Sequence, residues 1–588
     1  MTETAQITPQ HQLIRAIGRW SLVALVVNSI IGSGVFGLPS AVAGLVGNYS
    51  PYAVLAAGAG MSVIIGCFAE VASRFQQAGG PYLYARVAFG RLMGIQTAWM
   101  LWLGQVAAPA ANANLFVIYL GEFFPHAKDP LPRAIILTVL VGLLTFINIR
   151  GVRAGAQVSN LFTAAKLLPL FAVIVLGLFV LQQHHWTIAS PAVASPSTSQ
   201  WLKAMLLLVF AYGGFETALA PMSEAKDPRR DAPFALFMAL LACTVIYALI
   251  QWVVVGVLPD AAHSQRPLAD VARLAVGPIG AALVAVGALI SFYGYLSAKI
   301  LAMPRVPFAL AEQGDFPKVF ATVHRRFHTP YVSILVFAAM VWGLALLGDF
   351  KWNVTLSAVA RLLYYAVGCA ALPILRRKNP EGAEAMFQLP AGNFFAVLGV
   401  ILCVILVTRV DFGQSMILVG TIALAFVNWA VVGGRMAQSN FPLAGAAQNL
   451  QPAAIPADKG TRVAAYLIDV IPAFVLGLFG MIPVVGAIIA GLLLSPYWLL
   501  RDVGGASVGK ILLGSKVALK NGQPAPVGAR ILRNVPLAVG PAFLIVPFLG
   551  YVLGPVISGI AVLVEGILVL TGGERLGDKI AGTTVIKK

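Results

Sequence analysis

The chain has 588 residues, of which 59% are hydrophobic and only 11% charged, with a net charge of +18. A soluble domain carries about 25% charged residues, so a chain this long cannot wrap a polar surface around its apolar interior, and lipid has to be its solvent. The basic residues are neither interleaved with aromatics nor gathered on one soluble face, which excludes nucleic-acid binding and leaves membrane topology as their meaning.

The first 19 residues are polar, with Arg15 and Arg19 ahead of the first apolar run. No small-residue cleavage site follows a short apolar core, so no cleaved signal peptide is expected. Apolar runs follow at 20–45, 50–73, 92–123, 132–149, 157–182, 201–224, 233–258, 276–310, 331–347, 353–375, 393–409 and 413–433. A spanning helix needs about 20 such residues. With the amino terminus inside, the cytoplasmic segments hold 18 Lys and Arg and the outer segments 7. That asymmetry predicts twelve spans with both ends of the domain in the cytoplasm of a cell membrane. Cys67, Cys243, Cys369 and Cys403 all sit inside apolar runs and read as small buried hydrophobes, not disulfides or metal ligands. The seven His show no metal-ligand spacing. With no phosphate loop, nucleophile elbow or metal cluster, neither an enzyme nor a cofactor is expected.

Two spans are interrupted by glycine. The first reads IIGSGVFGLP, with Gly32, Ser33, Gly34, Gly37 and Pro39; the sixth reads AYGGFETALAP, with Gly213, Gly214 and Pro221. They open corresponding halves of the first ten spans, and paired interruptions of this kind point to a transport site between inverted repeats. Unwinding at the bilayer midplane frees N–H and C=O groups that lipid cannot satisfy. The positive end of the half-helix after the first break suits a carboxylate, and freed carbonyls suit an ammonium. The pair therefore predicts an α-amino acid or a related amine as substrate. Tight helix packing through small residues is the other meaning such glycines carry.

IIGSGVFGLP, AEVASRFQQAGGPYLYARVAFG (69–90), AYGGFE (211–216) and RVPFALAEQGDFPKVFATVHRRFHTP (305–330) follow one another in the order of the signatures of the amino acid–polyamine–organocation transporters. Residues 15–436 resemble that family. The resemblance implies an all-α polytopic fold of five-plus-five inverted repeats (LeuT-type) with two further helices, working by alternating access. It places Ile31, Gly32, Ser33, Gly34 and Val35 at the substrate, with the N–H groups of Ser33, Gly34 and Val35 on its carboxylate. The carbonyls around Phe210, Ala211, Gly213 and Gly214 face the amino group, and Phe210 falls where the family often has an aromatic gate.

Intramembrane charges are functional candidates by default. Lys166, in NLFTAAKLLPL of the fifth span, stands where some members of that family carry a lysine in place of a sodium site, which implies a proton as the coupling ion. Burial favours a lysine's neutral amine, whereas a structural lysine would snorkel to an interface. Glu216 closes AYGGFE, and the resemblance gives it the task of stabilising the broken sixth span. Glu70 is expected at a helix end or gate. Lys299 and Arg361 depart from the family pattern. Facing a central cavity, Lys299 would favour anionic substrates or reject cationic ones, and Arg361 would do likewise or pair with Glu216; otherwise both are structural charges.

Residues 437–458, rich in Ala, Pro, Gln and Asn, read as a linker. Beyond them, apolar blocks at 463–500 and 535–571, each with a Gly/Pro break (GMIPVVG, GYVLGP), read as two-span hairpins. Asn521–Gly522 between short extended runs predicts a small β-hairpin. RVAAYLID and ERLGDKIAGTTVIKK resemble the RDD family of small membrane domains. Arg462 and Asp469 match its first two residues and can pair across two helical turns; Asp502 and Asp578 are candidates for the third. The chain as a whole reads as a proton-coupled symporter of amino acids, an exchanger of amino acids or amines, or a sensor that signals through the tail.

Overall fold

The computed structural model describes residues 18–75, 80–150, 156–183, 196–219, 227–378 and 385–433, and in the C-terminal part 462, 466, 469, 485–507, 510, 515–519, 523–543, 558, 561, 565 and 575–587, without the side chains of 156–165, 218, 228, 430–433, 485–489, 540, 543 and 587. The predicted linker, the breaks inside the two tail blocks, the Asn521–Gly522 turn and Pro221 lie outside the described residues. The chain divides into two compact units, one of Met1–Ala88 and Leu92–Ser439 and the other of Phe89–Arg91 and Asn440–Lys588.

The larger unit is helical. Its elements are α1 (Arg19–Ile30), α2 (Gly34–Val46), α3 (Ser50–Ala72), α4 (Gly80–Phe89), α5 (Arg91–Leu120), α6 (Pro130–Arg150), α7 (Ala156–Gln183) and α8 (Thr198–Tyr212). They continue with α9 (Phe215–Ala218), α10 (Pro228–Val257), α11 (Pro267–Ala302), α12 (Arg305–Glu312), α13 (Tyr331–Leu347), α14 (Phe350–Lys378), α15 (Gly392–Val407) and α16 (Phe412–Gly433). Helix or a pair of helices occupies each of the twelve predicted stretches. Among the described residues, eight helical stretches are long and apolar enough to cross a membrane by themselves, and the protein is a multi-pass membrane protein.

The helices are apolar on the outside as well as the inside, which is what lipid demands of them. On α6, Leu131, Ile135, Val139 and Leu143 recur every fourth residue and are all exposed, forming one stripe; positions four apart share a helix face. The opposite face buries Leu137, Val141 and Leu144 against Phe337, Ala338 and Val341 of α13. α7 repeats the pattern with exposed Leu168, Phe171, Val175 and Phe179. The inner helices pack on one another: α3 packs on α8, α10 and α14, α2 packs on α8, and α1 packs on α10. α8 begins with a full capping box, in which Ser197 and Gln200 satisfy each other's backbone. α11 is kinked at Val276–Gly277, where Gly277 has φ 77°.

In the smaller unit, α17 (Val485–Leu500) packs on α19 (Val535–Phe543) through Trp498, Leu537 and Ala538, with α18 (Val527–Leu532) between them in sequence. β1 (Ser515–Leu519) precedes α18, and α20 (Leu576–Ala581) is followed by β2 (Thr583–Lys587). The strands pair antiparallel, with Ser515 opposite Lys587 and Leu519 opposite Thr583. The longer ladder of β1 thus goes to the β-branched run near the chain end. Across the Asn521–Gly522 position, Ala518 also bridges Pro524 antiparallel and the Leu519 N–H donates to the Gln523 carbonyl at 2.8 Å, which accords with the hairpin expectation.

Candidate functional site

The first span comes apart at its glycines. α1 ends with the Ile31 N–H on the Val27 carbonyl. Ile31 then turns to φ −69°, ψ 103°, and α2 starts afresh at Gly34. The Ser33 carbonyl accepts the Phe36 and Gly37 N–H groups at 3.1 and 3.2 Å. The first-turn N–H groups of a helix have no partner inside it and carry the positive end of its dipole; here they belong to Gly34 and Val35, inside the protein. Ile31, Ser33 and Val35 are buried.

The sixth span breaks between α8 and α9. Gly213 is extended (φ −74°, ψ 160°) and Gly214 takes φ 117°, a conformation cheap only for glycine. A Cβ on Gly214 would lie 2.2 Å from the Ser29 carbonyl oxygen, so the second break packs backbone to backbone on the end of α1. A Cβ on Gly34 would stand 3.1 Å from Ala211 Cα and 3.4 Å from the Phe210 ring. The two breaks thus face each other. Tyr247 of α10 ties them: its hydroxyl lies 3.3 Å from the Ile30 carbonyl and 3.1 Å from the Ala211 carbonyl, and its one proton serves either.

A buried polar network surrounds this meeting point. Glu216 Oε1 accepts from Gln105 Nε2 (3.2 Å) and Tyr364 (2.8 Å), and Oε2 accepts from the Gly214 N–H and Tyr365, both at 2.9 Å. Arg361 Nη1 lies 3.1 Å from Glu216 Oε1, and its guanidinium rests on Gly213, where a Cβ would come within 1.8 Å of Nη1. The same guanidinium carbon is 5.8 Å from the centre of the Phe210 ring. Lys299 Nζ donates to Gln105 Oε1 at 2.8 Å and sits 5.4 Å from the centre of the Tyr295 ring. That ring is 3.6 Å from where Gly32 would carry a Cβ. Lys166 does not snorkel: it is buried and donates to the Asn28 carbonyl and side chain of α1 at 3.0 and 2.9 Å.

The structure therefore brings Ile31–Val35, Phe210–Gly214, Glu216, Lys299 and Arg361 together, with Lys166 holding α1 three residues before its break. Glu70 stands apart from them. Buried at the end of α3, it receives Arg74 at 2.8 Å, Arg376 at 2.8 and 2.6 Å and the Leu389 N–H at 2.9 Å. Asn28, Gln105, Tyr247, Tyr295, Tyr364 and Tyr365 were not anticipated from the sequence. Gln105 carried a signal, a polar side chain inside a 30-residue apolar helix; the tyrosines, amphipathic and common in apolar runs, carried none.

In the smaller unit, Arg462 donates to Thr584 Oγ1 and the Val585 carbonyl of β2, both at 3.1 Å. Asp469 receives Arg501 at 3.4 Å. Asp502 and Asp578 meet through one buried side chain, Arg533, at 3.6 and 2.7 Å, and Asp502 also holds Lys510 at 2.7 Å. Burial pushes both carboxyls up, but the surrounding cations outweigh it: Lys510 and Arg533 hold Asp502 well below the ordinary carboxylate range, and Arg533 and Arg575 hold Asp578 below it.

Two broken membrane helices meeting inside a bundle of many spans define a polytopic carrier-like membrane protein. The amino acid permease family model matches residues 17–434, and the chain belongs to that family. It is 29% identical to the serine/threonine exchanger of Bacillus subtilis (strain 168) over 67% of this chain and 90% of the exchanger. It is 26% identical to the methylthioribose transporter of the same organism over 72% and 92% of the two chains. With the mouse (Mus musculus) cationic amino acid transporter 4 it shares 28% over 62% and 60%. Family and relatives are transporters, and the protein is not an enzyme.

Proposed function

We propose that the protein carries amino acids across the membrane by alternating access, with a zwitterion held between the two breaks. The carrier comprises residues 1–436 in a five-plus-five inverted-repeat fold plus two helices, and a linker (437–458) joins it to a second, RDD-like membrane domain (459–588). The observation behind this is the juxtaposition of Gly34 with Phe210 and Ala211, which brings the start of α2 against the end of α8 at the other break. Ser33, Gly34 and Val35 take the carboxylate, and the carbonyls around Phe210, Ala211 and Gly213 take the ammonium. Gly214 permits the close approach of the second break to α1.

Lys166 makes a proton the coupling ion. While charged it pins α1 through Asn28; once neutral it loses the charge that strengthens those bonds, and α1 is released. Exchange without a proton is the second form of the same cycle, favoured by the likeness to a serine/threonine exchanger. Both ends of the carrier lie in the cytoplasm, following the distribution of Lys and Arg.

The test is uptake of labelled amino acids into proteoliposomes, with and without an imposed pH gradient and with and without amino acid inside. Uptake driven by the gradient into empty vesicles supports symport. Uptake that needs internal amino acid and ignores the gradient supports exchange. Binding with no uptake under either condition makes the protein a sensor and overturns carriage.

A further inference from the structure

We infer that the carrier prefers amino acids whose side chain bears a carboxylate, and that Lys299 and Arg361 set this preference. The inference rests on the site proposed above and names its substrate class.

Among the described residues, the network at the breaks contains two cations, Lys299 and Arg361, and one acid, Glu216. Lys166, which pins α1 just before its break, adds a third buried cation. Gln105, which links Lys299 to Glu216, is neutral, as are the tyrosine hydroxyls on Glu216. Both cations are buried, Lys299 at 9% exposure and Arg361 at 2%. An unbalanced buried charge is costly unless something neutralises it; the one acid of the network is paired with Arg361, so a ligand carboxylate is what would favour the charged form of Lys299.

The donors are also underused. An ammonium has three protons, and the hydrogen bond of Lys299 to Gln105 takes one. Arg361 Nε donates to Ser357 Oγ at 3.3 Å and Nη1 is ion-paired with Glu216 at 3.1 Å without a well-formed hydrogen bond, so the guanidinium keeps donor capacity to spare. These donors flank the breaks from two sides: Lys299 through Tyr295 beside Gly32, and Arg361 on Gly213 under Phe210. A zwitterion gripped by its α-groups is neutral and leaves the excess charge in place. A side-chain carboxylate cancels it and supplies acceptors to both cations. A cationic side chain adds a like charge.

The experiment is initial uptake by the full-length protein in proteoliposomes, comparing L-glutamate, L-aspartate, L-serine and L-lysine at equal concentration. Wild type is expected to carry an acidic amino acid about tenfold or more faster than serine, and lysine slowest, tenfold being the lower end of what a hydrogen bond to a charged group contributes. Lys299→Gln is expected to cut the acidic-to-neutral ratio by about tenfold through KM for the acid, with Lys299→Arg restoring part of it. Serine or lysine carried as fast as the acids by wild type overturns the inference and leaves amino-acid carriage standing. No uptake or binding of any amino acid defeats both. A Lys299→Gln protein that slows every substrate equally removes Lys299 from substrate choice. Should that variant fail to fold, the wild-type ratio still decides.

Discussion

Replacing Glu216 with Gln removes the only acidic group among the described residues of the central network while keeping its shape. The carboxylate accepts four hydrogen bonds and faces Arg361 at 3.1 Å. A glutamine amide offers one oxygen and one NH2, so whichever way it turns, its NH2 meets a donor that cannot accept, the Gln105 amide or the Gly214 N–H, while the tyrosine hydroxyl beside it has to rotate. Each buried donor left unpaired costs about 1–3 kcal/mol, and stripping a buried cation of its partner costs about 3–5 kcal/mol. Allowing for relaxation, Glu216→Gln is expected to lose about 4 kcal/mol. Arg361→Gln strands Glu216 in the same way but leaves its four donors in place. The two changes share one interaction, so the double variant is expected to recover about 2 kcal/mol relative to the sum of the singles. Equilibrium unfolding of the purified proteins in mixed micelles measures all three. A Glu216→Gln protein as stable as wild type, or a double variant whose loss is additive, refutes the ion pair as the element that holds the second break.

Gly34→Leu is expected to abolish amino-acid binding in a thermal-shift assay, because a Cβ there already presses on Ala211 at 3.1 Å; unchanged affinity removes the first break from the site. Gly214→Ala forces a side chain into φ 117° and against the Ser29 carbonyl, a backbone strain of about 1–3 kcal/mol before the clash is counted, and unfolding in micelles is expected to show at least that loss. Lys166→Ala is expected to make uptake insensitive to an imposed pH gradient, and gradient-driven uptake by the variant contradicts the coupling role. In the smaller unit, Asp502 and Asp578 are held below the ordinary value of 3.8. Their contribution to stability is therefore complete above that value and disappears as pH falls through it toward the folded-state values. Hydrogen exchange of residues 583–587 in the full chain, corrected for intrinsic rates, is expected to show protection falling below about pH 4; constant protection down to pH 3 contradicts the Arg533 bridge.

The breaks were legible because glycine pairs in a membrane helix have few other uses, and φ 117° at Gly214 shows what the second pair is for. The apolar runs were legible because length and charge alone locate spans. Lys166, Glu216, Lys299 and Arg361 stood out as charges in lipid, yet their connections did not. Gln105, which bridges Lys299 to Glu216, and Tyr247, which joins both breaks, lie 111 or more and 36 or more residues from their partners, and pairing across such distances depends on how helices pack. The β1–β2 ladder was missed for a similar reason. A local Asn-Gly turn signal outweighed a β-branched run more than 60 residues away that offers a longer ladder.

The most direct measurement is the affinity of the purified protein for a transported amino acid, beside its decarboxylated amine and its deaminated acid. Peptide groups freed at both breaks are claimed to hold both charged ends of the ligand. Each analogue loses the charge-assisted hydrogen bonds of one end, so each is expected to bind about 100-fold or more weakly than the amino acid. An amine or an acid that binds as tightly as the amino acid itself contradicts the claim that the two interrupted helices grip a zwitterion.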